Sequence, residues 1–158
     1  MRAIVNNTVL SNLAHVRRPD LLRKVFGKQV AVTRAVLDEL AMGERWRRLP
    51  ICDWSWLTVI ELFDKERAHA EQLNETVALG EATCLAVAQA RGLIFLTDDR
   101  DARRFAQILR IPISGTLGIL QSLVDDDYFD LEAADALLVE MIRKGYRSPT
   151  KSLKQLDR

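Results

Sequence analysis

Short apolar segments alternate with helical segments along this chain, and several of the apolar segments end at polar residues. The clearest apolar segment spans residues 93–96, follows Gly92 and ends at Thr97, Asp98 and Asp99. This alternation predicts the α/β fold class, with a central, mostly parallel sheet and flanking helices. In such a sheet, ligand sites form at the carboxyl ends of the strands. Four more short strands are predicted at residues 3–5, 29–32, 56–60 and 111–113.

Helix boundaries follow from residues that cap or stop helices. Thr33 precedes a helical pattern and can accept a hydrogen bond from a free backbone N–H, so it predicts a helix start. Gly43 is predicted to stop that helix, because glycine is favoured just after a helix ends. In the same way, Asp130 is predicted to cap the last amphipathic helix and Gly145 to terminate it.

The length and charge of the chain limit its organisation. Its 158 residues suit one compact domain, with a core over about residues 1–124 and a C-terminal helix and basic tail over about 125–158. The 23 Lys and Arg against 22 Asp and Glu give a formal charge of +1. This balance argues against a strongly basic protein that wraps nucleic acid. It leaves open a nucleic-acid enzyme whose acidic site is offset by basic rims.

Cysteine content and hydropathy exclude further classes. Cys52 and Cys84 are the two cysteines, without a CxxC pattern, so a disulfide framework and a structural zinc site are not expected. Both are predicted to fill core space. No apolar run approaches the roughly 18 residues of a membrane helix, and no signal-peptide pattern is present. The expected compartment is the cytoplasm, with no membrane partner.

Polar and acidic residues lie at several predicted strand and helix ends. Asn6 follows the first strand, Glu39 lies on the helix after Thr33, and Asp98 and Asp99 follow the strand at 93–96. Carboxylates that gather at one sheet edge repel each other unless a cation compensates them. Oxygen ligands favour Mg²⁺ or Mn²⁺ over zinc. Structural interpretations remain open: Asn6 can cap a helix, Glu39 can be an exposed helix residue, and one of the two aspartates can cap the next helix.

The order and spacing of several motifs resemble the PIN-domain family, in its VapC-like branch of small nucleases. Each motif alone is weak, but together they extend over nearly the whole chain. The resembling segments are residues 4–12, 36–40, 79–82, 95–100 and 115–120, and residues 126–153 resemble a C-terminal helix found in one branch of the family.

The resemblance implies a three-layer PIN-like fold and a metal-dependent endoribonuclease that hydrolyses phosphodiester bonds of RNA. It implies that the protein is the toxin of a type II toxin–antitoxin pair, with Mg²⁺ or Mn²⁺ as cofactor. RNA, a cognate antitoxin and a second copy of the chain are the implied partners. The implied catalytic residues are Asn6, Glu39, Glu81 and Asp99, and the implied metal ligands are Asn6, Glu81, Asp98 and Asp99.

Asn6 departs from the family pattern, which has Asp at the end of the first strand. Asparagine keeps an acceptor oxygen but lacks the negative charge. Two hypotheses stay open. The substitution was introduced to disarm a toxic nuclease, or the natural protein is a catalytically impaired PIN-like module that binds RNA or a protein.

Basic and hydroxyl side chains beside the acidic positions are candidates for RNA binding. Arg100, Arg103 and Arg104 recur at helical spacing and can contact phosphates, although a solvated helix face is the alternative. Thr116 follows Gly115 at a predicted helix N-terminus, which can bind phosphate or simply form a tight turn. The tryptophans, which are Trp46, Trp54 and Trp56, are predicted to make core or dimer contacts.

Overall fold

The computed structural model describes residues 1–156, and in them it shows a five-stranded sheet whose paired strands are all parallel. This confirms the α/β fold class. The sheet is wholly parallel, and its strand order is β3-β2-β1-β4-β5. The strands are β1 (Ala3–Val5), β2 (Val30–Thr33), β3 (Thr58–Ile60), β4 (Ile94–Leu96) and β5 (Ile113–Ser114).

Helices flank the sheet and bury it. The α5 helix packs against β1, β2 and β4, and it carries the small apolar side chains that this central position requires. The α1, α2, α7 and α8 helices pack against one another. The helices are α1 (Asn7–His15), α2 (Asp20–Phe26), α3 (Arg34–Arg45), α4 (Asp64–Leu73), α5 (Leu79–Arg91), α6 (Arg100–Ile108), α7 (Thr116–Asp125) and α8 (Leu131–Arg143), followed by a 3₁₀ turn at Leu153–Gln155.

The C-terminal part of the chain belongs to the hydrophobic core. Leu138 and Met141 of α8 are fully buried, and Leu153 of the 3₁₀ turn is 1% exposed. The core therefore continues past residue 124 through α8 to this turn. The apolar face of α8 is used within the chain, since α8 packs against α7 and α1.

Capping residues begin two of the helices as predicted. The Thr33 hydroxyl accepts a hydrogen bond from the Val36 N–H at 3.4 Å, and Asp130 accepts one from the Ala133 N–H at 2.7 Å. The predicted stop at Gly43 is wrong, because α3 continues to Arg45. Gly43 lies in close contact with a side chain: a Cβ atom at position 43 would lie 2.8 Å from the Leu49 Cδ1 atom, so Leu49 would have to shift.

The tryptophans and cysteines divide between core and surface. Trp54 is buried, and its ring centroid lies 6.5 Å from that of Trp56, which packs against the core. Trp46 is 65% exposed. Cys84 is fully buried and Cys52 is half-buried against the core, which confirms that both fill core space. No helix within residues 1–156 is long and apolar enough to cross a membrane.

Strand order places a switch point at the centre of the sheet. From β1 the chain continues to β2 on one side and later to β4 on the other. Crevices in open parallel sheets form outside the carboxyl ends of the strands at such a point. Asn6 follows β1 and Thr97 follows β4, and the Asn6 N–H donates to the Leu96 carbonyl at 2.9 Å. The two predicted site segments therefore meet at this crevice.

Candidate active site

Asn6 is fully buried at the end of β1, and both ends of its amide are hydrogen-bonded. Its Oδ1 accepts from the Asn7 N–H at 2.7 Å, which caps α1, and its Nδ2 donates to the Thr97 hydroxyl at 3.1 Å. A carboxylate fits the same place, because Oδ1 would keep the cap and the Thr97 hydroxyl would donate to the second oxygen. The site is therefore shaped for either Asn or Asp.

Thr97 connects Asn6 to Asp99. The Asp99 N–H donates to the Thr97 hydroxyl at 3.1 Å, so this buried oxygen holds both residues. Asp99 caps α6 through Oδ1, which accepts from the Ala102 N–H at 2.7 Å. Its Oδ2 is not used in that cap. Thr97 was not among the predicted site residues, although a hydroxyl side chain directly after a very apolar strand indicates a polar role at the strand end.

Glu39 and Glu81 form an uncompensated acidic pair. Burial raises the pKa of Glu39, the Glu81 carboxylate raises it further, and the Gly80 N–H opposes both by donating to Glu39 Oε1 at 3.1 Å. Glu81 Oε2 is a buried atom without a hydrogen-bond partner in the described residues. A buried carboxylate oxygen without a donor is unfavourable, so this pair is suited to a cation from outside the chain.

Cys84 connects the acidic pair to the end of β1. It lies one turn after Glu81 on α5, and its thiol donates to the Val5 carbonyl at 3.7 Å. Burial raises the pKa of Cys84, and the carboxylates of Glu81 and Glu39 raise it further. The thiol therefore stays neutral and marks where the acidic pair approaches the strand that ends at Asn6.

Asp98 points away from these residues. Its Oδ1 accepts from the Thr116 N–H at 2.9 Å, and its Oδ2 accepts from Asn12 Nδ2 at 2.8 Å and from the Thr116 hydroxyl. The Asp98 N–H donates to the Thr8 hydroxyl at 2.9 Å. Both carboxylate oxygens are thus used to hold the start of α7 against α1. Asp98 is placed as a structural residue, whereas Asp99 is placed beside Asn6.

The partners of Asp98 were also missed by the sequence analysis. Thr8 and Asn12 lie four residues apart on α1, on a helix whose other buried positions include Val9 and Leu13. Two polar residues on an apolar helix face were the available signal. Without the tertiary structure, that signal did not identify Asp98 as their partner.

Two of the predicted RNA-binding residues are hydrogen-bonded within the fold, and the other two are exposed on the surface. Arg103 donates to the Thr97 carbonyl at 2.6 Å and to the Ser114 carbonyl at 3.4 Å, so it joins β4 to β5. Thr116 is fully buried against Asp98. Arg100 and Arg104 are exposed, and Arg104 also forms a surface ion pair with Asp101 at 3.6 Å.

The residues at this edge match a divalent cation in chemistry but not as a complete cage. Glu39 and Glu81 supply paired carboxylates, and Asp99 is connected to Asn6 through the Thr97 hydroxyl. Within residues 1–156, no group of three or more His, Cys, Asp or Glu side chains is placed to hold one ion. Hard oxygen donors and an unpartnered buried oxygen nevertheless suit Mg²⁺ or Mn²⁺.

Comparison with known families agrees with this arrangement. A family model described as a PIN domain matches residues 2–158, which is nearly the whole chain. The chain belongs to the PIN-domain family. No curated protein sequence matches it. Membership in a family of nuclease-like domains supports a nuclease-like function for this PIN domain.

Proposed function

We propose that this PIN-domain protein is a Mg²⁺- or Mn²⁺-dependent endoribonuclease and the toxin of a type II toxin–antitoxin pair. The observation that carries the proposal is the acidic pair of Glu39 and Glu81 beside the switch point of the sheet. Burial and mutual repulsion act on this pair, and Glu81 keeps a buried oxygen without a donor. An enzyme that uses a divalent cation to cleave a phosphodiester needs carboxylate oxygens that are free to bind the cation.

Glu81 and Asp99 are the proposed main ligands of the metal. Asn6 would contribute its amide oxygen, and Glu39 would bind through water or orient the attacking water. Asp98 is left out of this set, because both of its carboxylate oxygens already accept hydrogen bonds. A metal ion held by these residues would lower the pKa of a bound water and would stabilise negative charge on the leaving oxygen.

The residues of the chain would then position the reaction. Water attacks phosphorus, the bond from phosphorus to the leaving oxygen breaks, and the leaving oxygen takes a proton. Glu39, whose pKa is raised by burial and by Glu81, would orient the water and accept its proton. Thr97 holds Asn6 and Asp99 in fixed positions for this step.

The test is Asn6→Asp, which restores the charge that the family pattern has at this position. One unit charge pair at about 4 Å interacts by roughly 4 kcal/mol at an effective dielectric near 20, and solvation offsets much of it. We expect Mn²⁺-dependent cleavage of single-stranded RNA to rise at least about tenfold, equivalent to about 1.4 kcal/mol. The rate of cleavage of a labelled RNA measures it.

The matched control is Asn7→Asp. Asn7 is the first residue of α1, so the same charge is added one position away, where a helix N-terminus accommodates it. Unchanged cleavage in folded Asn6→Asp, or an equal rise in both variants, contradicts the proposed role of position 6.

The alternative function is an impaired PIN-like module that binds RNA or a protein without cutting. It is favoured by the burial of Asn6 and by the hydrogen bonds at both ends of its amide, which give it a complete structural role. This alternative predicts that wild type and Asn6→Asp bind RNA equally and that neither cleaves it in Mn²⁺.

The toxin role is supported by the resemblance to the VapC-like branch. Expression of Asn6→Asp should arrest cell growth, and co-expression of a small DNA-binding protein encoded by the adjacent gene should restore it. The proposed homodimer cannot use the apolar face of α8, which is packed inside the chain. Exposed Trp46 and Ile51 are the candidate contacts, and the molar mass in solution tests them.

A further inference from the structure

A second site borders the acidic edge on the β5 side of the sheet. It is a cavity of about 1070 Å³, at the upper limit of the roughly 300–1,000 Å³ typical of ligand pockets. Four parts of the chain contribute to its walls: α6, β5, α7 along its whole length, and the segment from Tyr146 to Pro149 after α8. A volume of this size exceeds the needs of a single small ligand.

The rim of the cavity is basic. Arg100, Arg104 and Arg147 line it as exposed side chains, whereas Arg103 is held by backbone carbonyls. Arg104 also pairs with Asp101 at 3.6 Å, but an exposed pair of this kind is weak and leaves Arg104 able to bind an anion. Of the two aspartates that line it, Asp98 has both oxygens bonded to Thr116 and Asn12. The three exposed arginines therefore favour an anion with more than one charged group.

The inner wall supplies apolar and aromatic surface next to this charge. Ile113, Leu117 and Tyr146 are half-buried and line the cavity, and Pro149 adds an exposed ring. Burial and the nearby Asp98 raise the pKa of Tyr146, so its ring stays neutral. Flat apolar surface beside arginines is the combination that binds unstacked bases and their phosphates.

One buried polar atom in this wall has no hydrogen-bond partner within residues 1–156. Gln121 Oε1 is buried and accepts no hydrogen bond in the described residues, whereas its Nε2 donates to Asp125 at 2.8 Å. Gln121 lines the cavity. A ligand donor would satisfy this oxygen once the Gln121 side chain rotates to turn it into the cavity, and the exocyclic amino groups of nucleobases are such donors.

We propose that this cavity binds a nucleotide of a single-stranded RNA chain next to the acidic edge. Arg104 and Arg147 bind consecutive phosphates, the base packs against Tyr146, and Gln121 Oε1 accepts from the base. The inference rests on the proposed ribonuclease function. Asp98 borders the cavity and the next residue, Asp99, shares the Thr97 hydroxyl with Asn6, so a strand held here would run towards the proposed cleavage site.

The test measures RNA binding without cleavage. Fluorescence anisotropy of a labelled eight-nucleotide single-stranded RNA in EDTA compares wild type with Arg104→Gln/Arg147→Gln. We expect at least about tenfold weaker binding, because two charged phosphate contacts are lost. The slope of log K against log salt should fall in magnitude by about 1.4, since each phosphate contact to a single strand contributes about 0.7.

The matched control is Arg45→Gln/Arg110→Gln, which removes the same charge from exposed positions that do not line the cavity. It should keep wild-type affinity and salt slope to within about twofold. Gln121→Met should weaken binding by about threefold with an unchanged salt slope, because it removes a base contact and no charge.

Several outcomes overturn the inference. Equal losses in the control and cavity variants show that binding is not located here. Equal affinity for duplex RNA contradicts the single-strand assignment, and equally tight binding of inorganic phosphate or adenosine monophosphate contradicts a strand. The nuclease proposal is tested separately, by the cleavage activity of Asn6→Asp. A failure of the nuclease proposal can therefore be distinguished from a failure of the proposed RNA-binding cavity.

Discussion

Two glutamates of this protein have opposite surroundings. Glu66 of α4 is 3% exposed and accepts from the Phe63 N–H at 2.7 Å and from Arg91 through both oxygens at 2.8 Å. Its pKa is lowered, first by the Arg91 hydrogen bonds. Glu39 is half-buried, faces Glu81, and has its pKa raised by burial and by that second carboxylate.

The difference indicates which carboxylate is structural. The fold supplies a cation to Glu66, and the Arg91 guanidinium also lies 4.6 Å from the Phe63 ring centroid. The fold supplies no salt bridge to Glu39 or Glu81 within the described residues. A partly buried carboxylate without a cationic partner lowers the stability of the protein when no ligand is bound. Carboxylates of this kind are typical of functional sites.

The largest expected effect is at the structural glutamate. Glu66→Ala leaves the Arg91 charge and the Phe63 N–H without their acceptor, and we expect it to lower the free energy of unfolding by about 3 kcal/mol. Urea unfolding at pH 7 measures this. The control is Glu140→Ala, which breaks the exposed ion pair with Arg143 and should leave the midpoint unchanged.

The same pair predicts a pH dependence. The pKa of Glu66 is lower in the folded protein than in the unfolded chain, where it is near 4.5. The ionised Glu66 side chain therefore stabilises the fold at pH values above 4.5, and this stabilisation is lost as the pH falls through the folded pKa. The difference in stability between wild type and Glu66→Ala should shrink below about pH 4. A difference that stays constant down to pH 2.5 would contradict the assigned ion pair.

Two capping aspartates give an intermediate effect that separates stability from activity. Asp99→Ala and Asp130→Ala each remove a helix cap of 2.7 Å, so each should lower the free energy of unfolding by about 1 kcal/mol. In the Asn6→Asp background, only Asp99→Ala should abolish Mn²⁺-dependent cleavage. Equal activity in the two variants would remove Asp99 from the proposed metal site.

The smallest expected effect has the opposite sign. Glu39→Gln removes the repulsion with Glu81 and should raise the free energy of unfolding by about 0.5 kcal/mol in EDTA at pH 7. Because the folded pKa of Glu39 is raised, this gain should vanish as pH falls and the carboxyl becomes protonated in both states. Added Mg²⁺ should stabilise wild type more than the variant. A destabilised Glu39→Gln would show that the pair is not strained.

The sequence predicted features that depend on local chemistry. The caps at Thr33 and Asp130 follow from the hydrogen bonds of a few neighbouring residues, and the short strands follow from apolar segments. The strand-end location of Asn6 and Asp99 follows from the parallel sheet.

Features that depend on long-range contacts were not predictable in this way. Gly43 lies inside α3 with the Leu49 side chain against it, and no local rule indicates that contact. Asp98 and Asp99 have the same local context, but Thr116 and Asn12 lie far away in sequence and assign them opposite directions. The proximity of Glu39 to Glu81 likewise depends on how α3 meets α5.

The backbone donor at Gly80 has a consequence for natural variation. A Cβ atom at position 80 would overlap the Glu39 carboxylate that the Gly80 N–H holds. Even alanine, which would strengthen the helix by about 1 kcal/mol in isolation, must push that carboxylate aside. Position 80 therefore excludes side chains larger than hydrogen. Even a single methyl group there would displace the Glu39 carboxylate from the cleft, although the number of charged residues in the protein would stay the same.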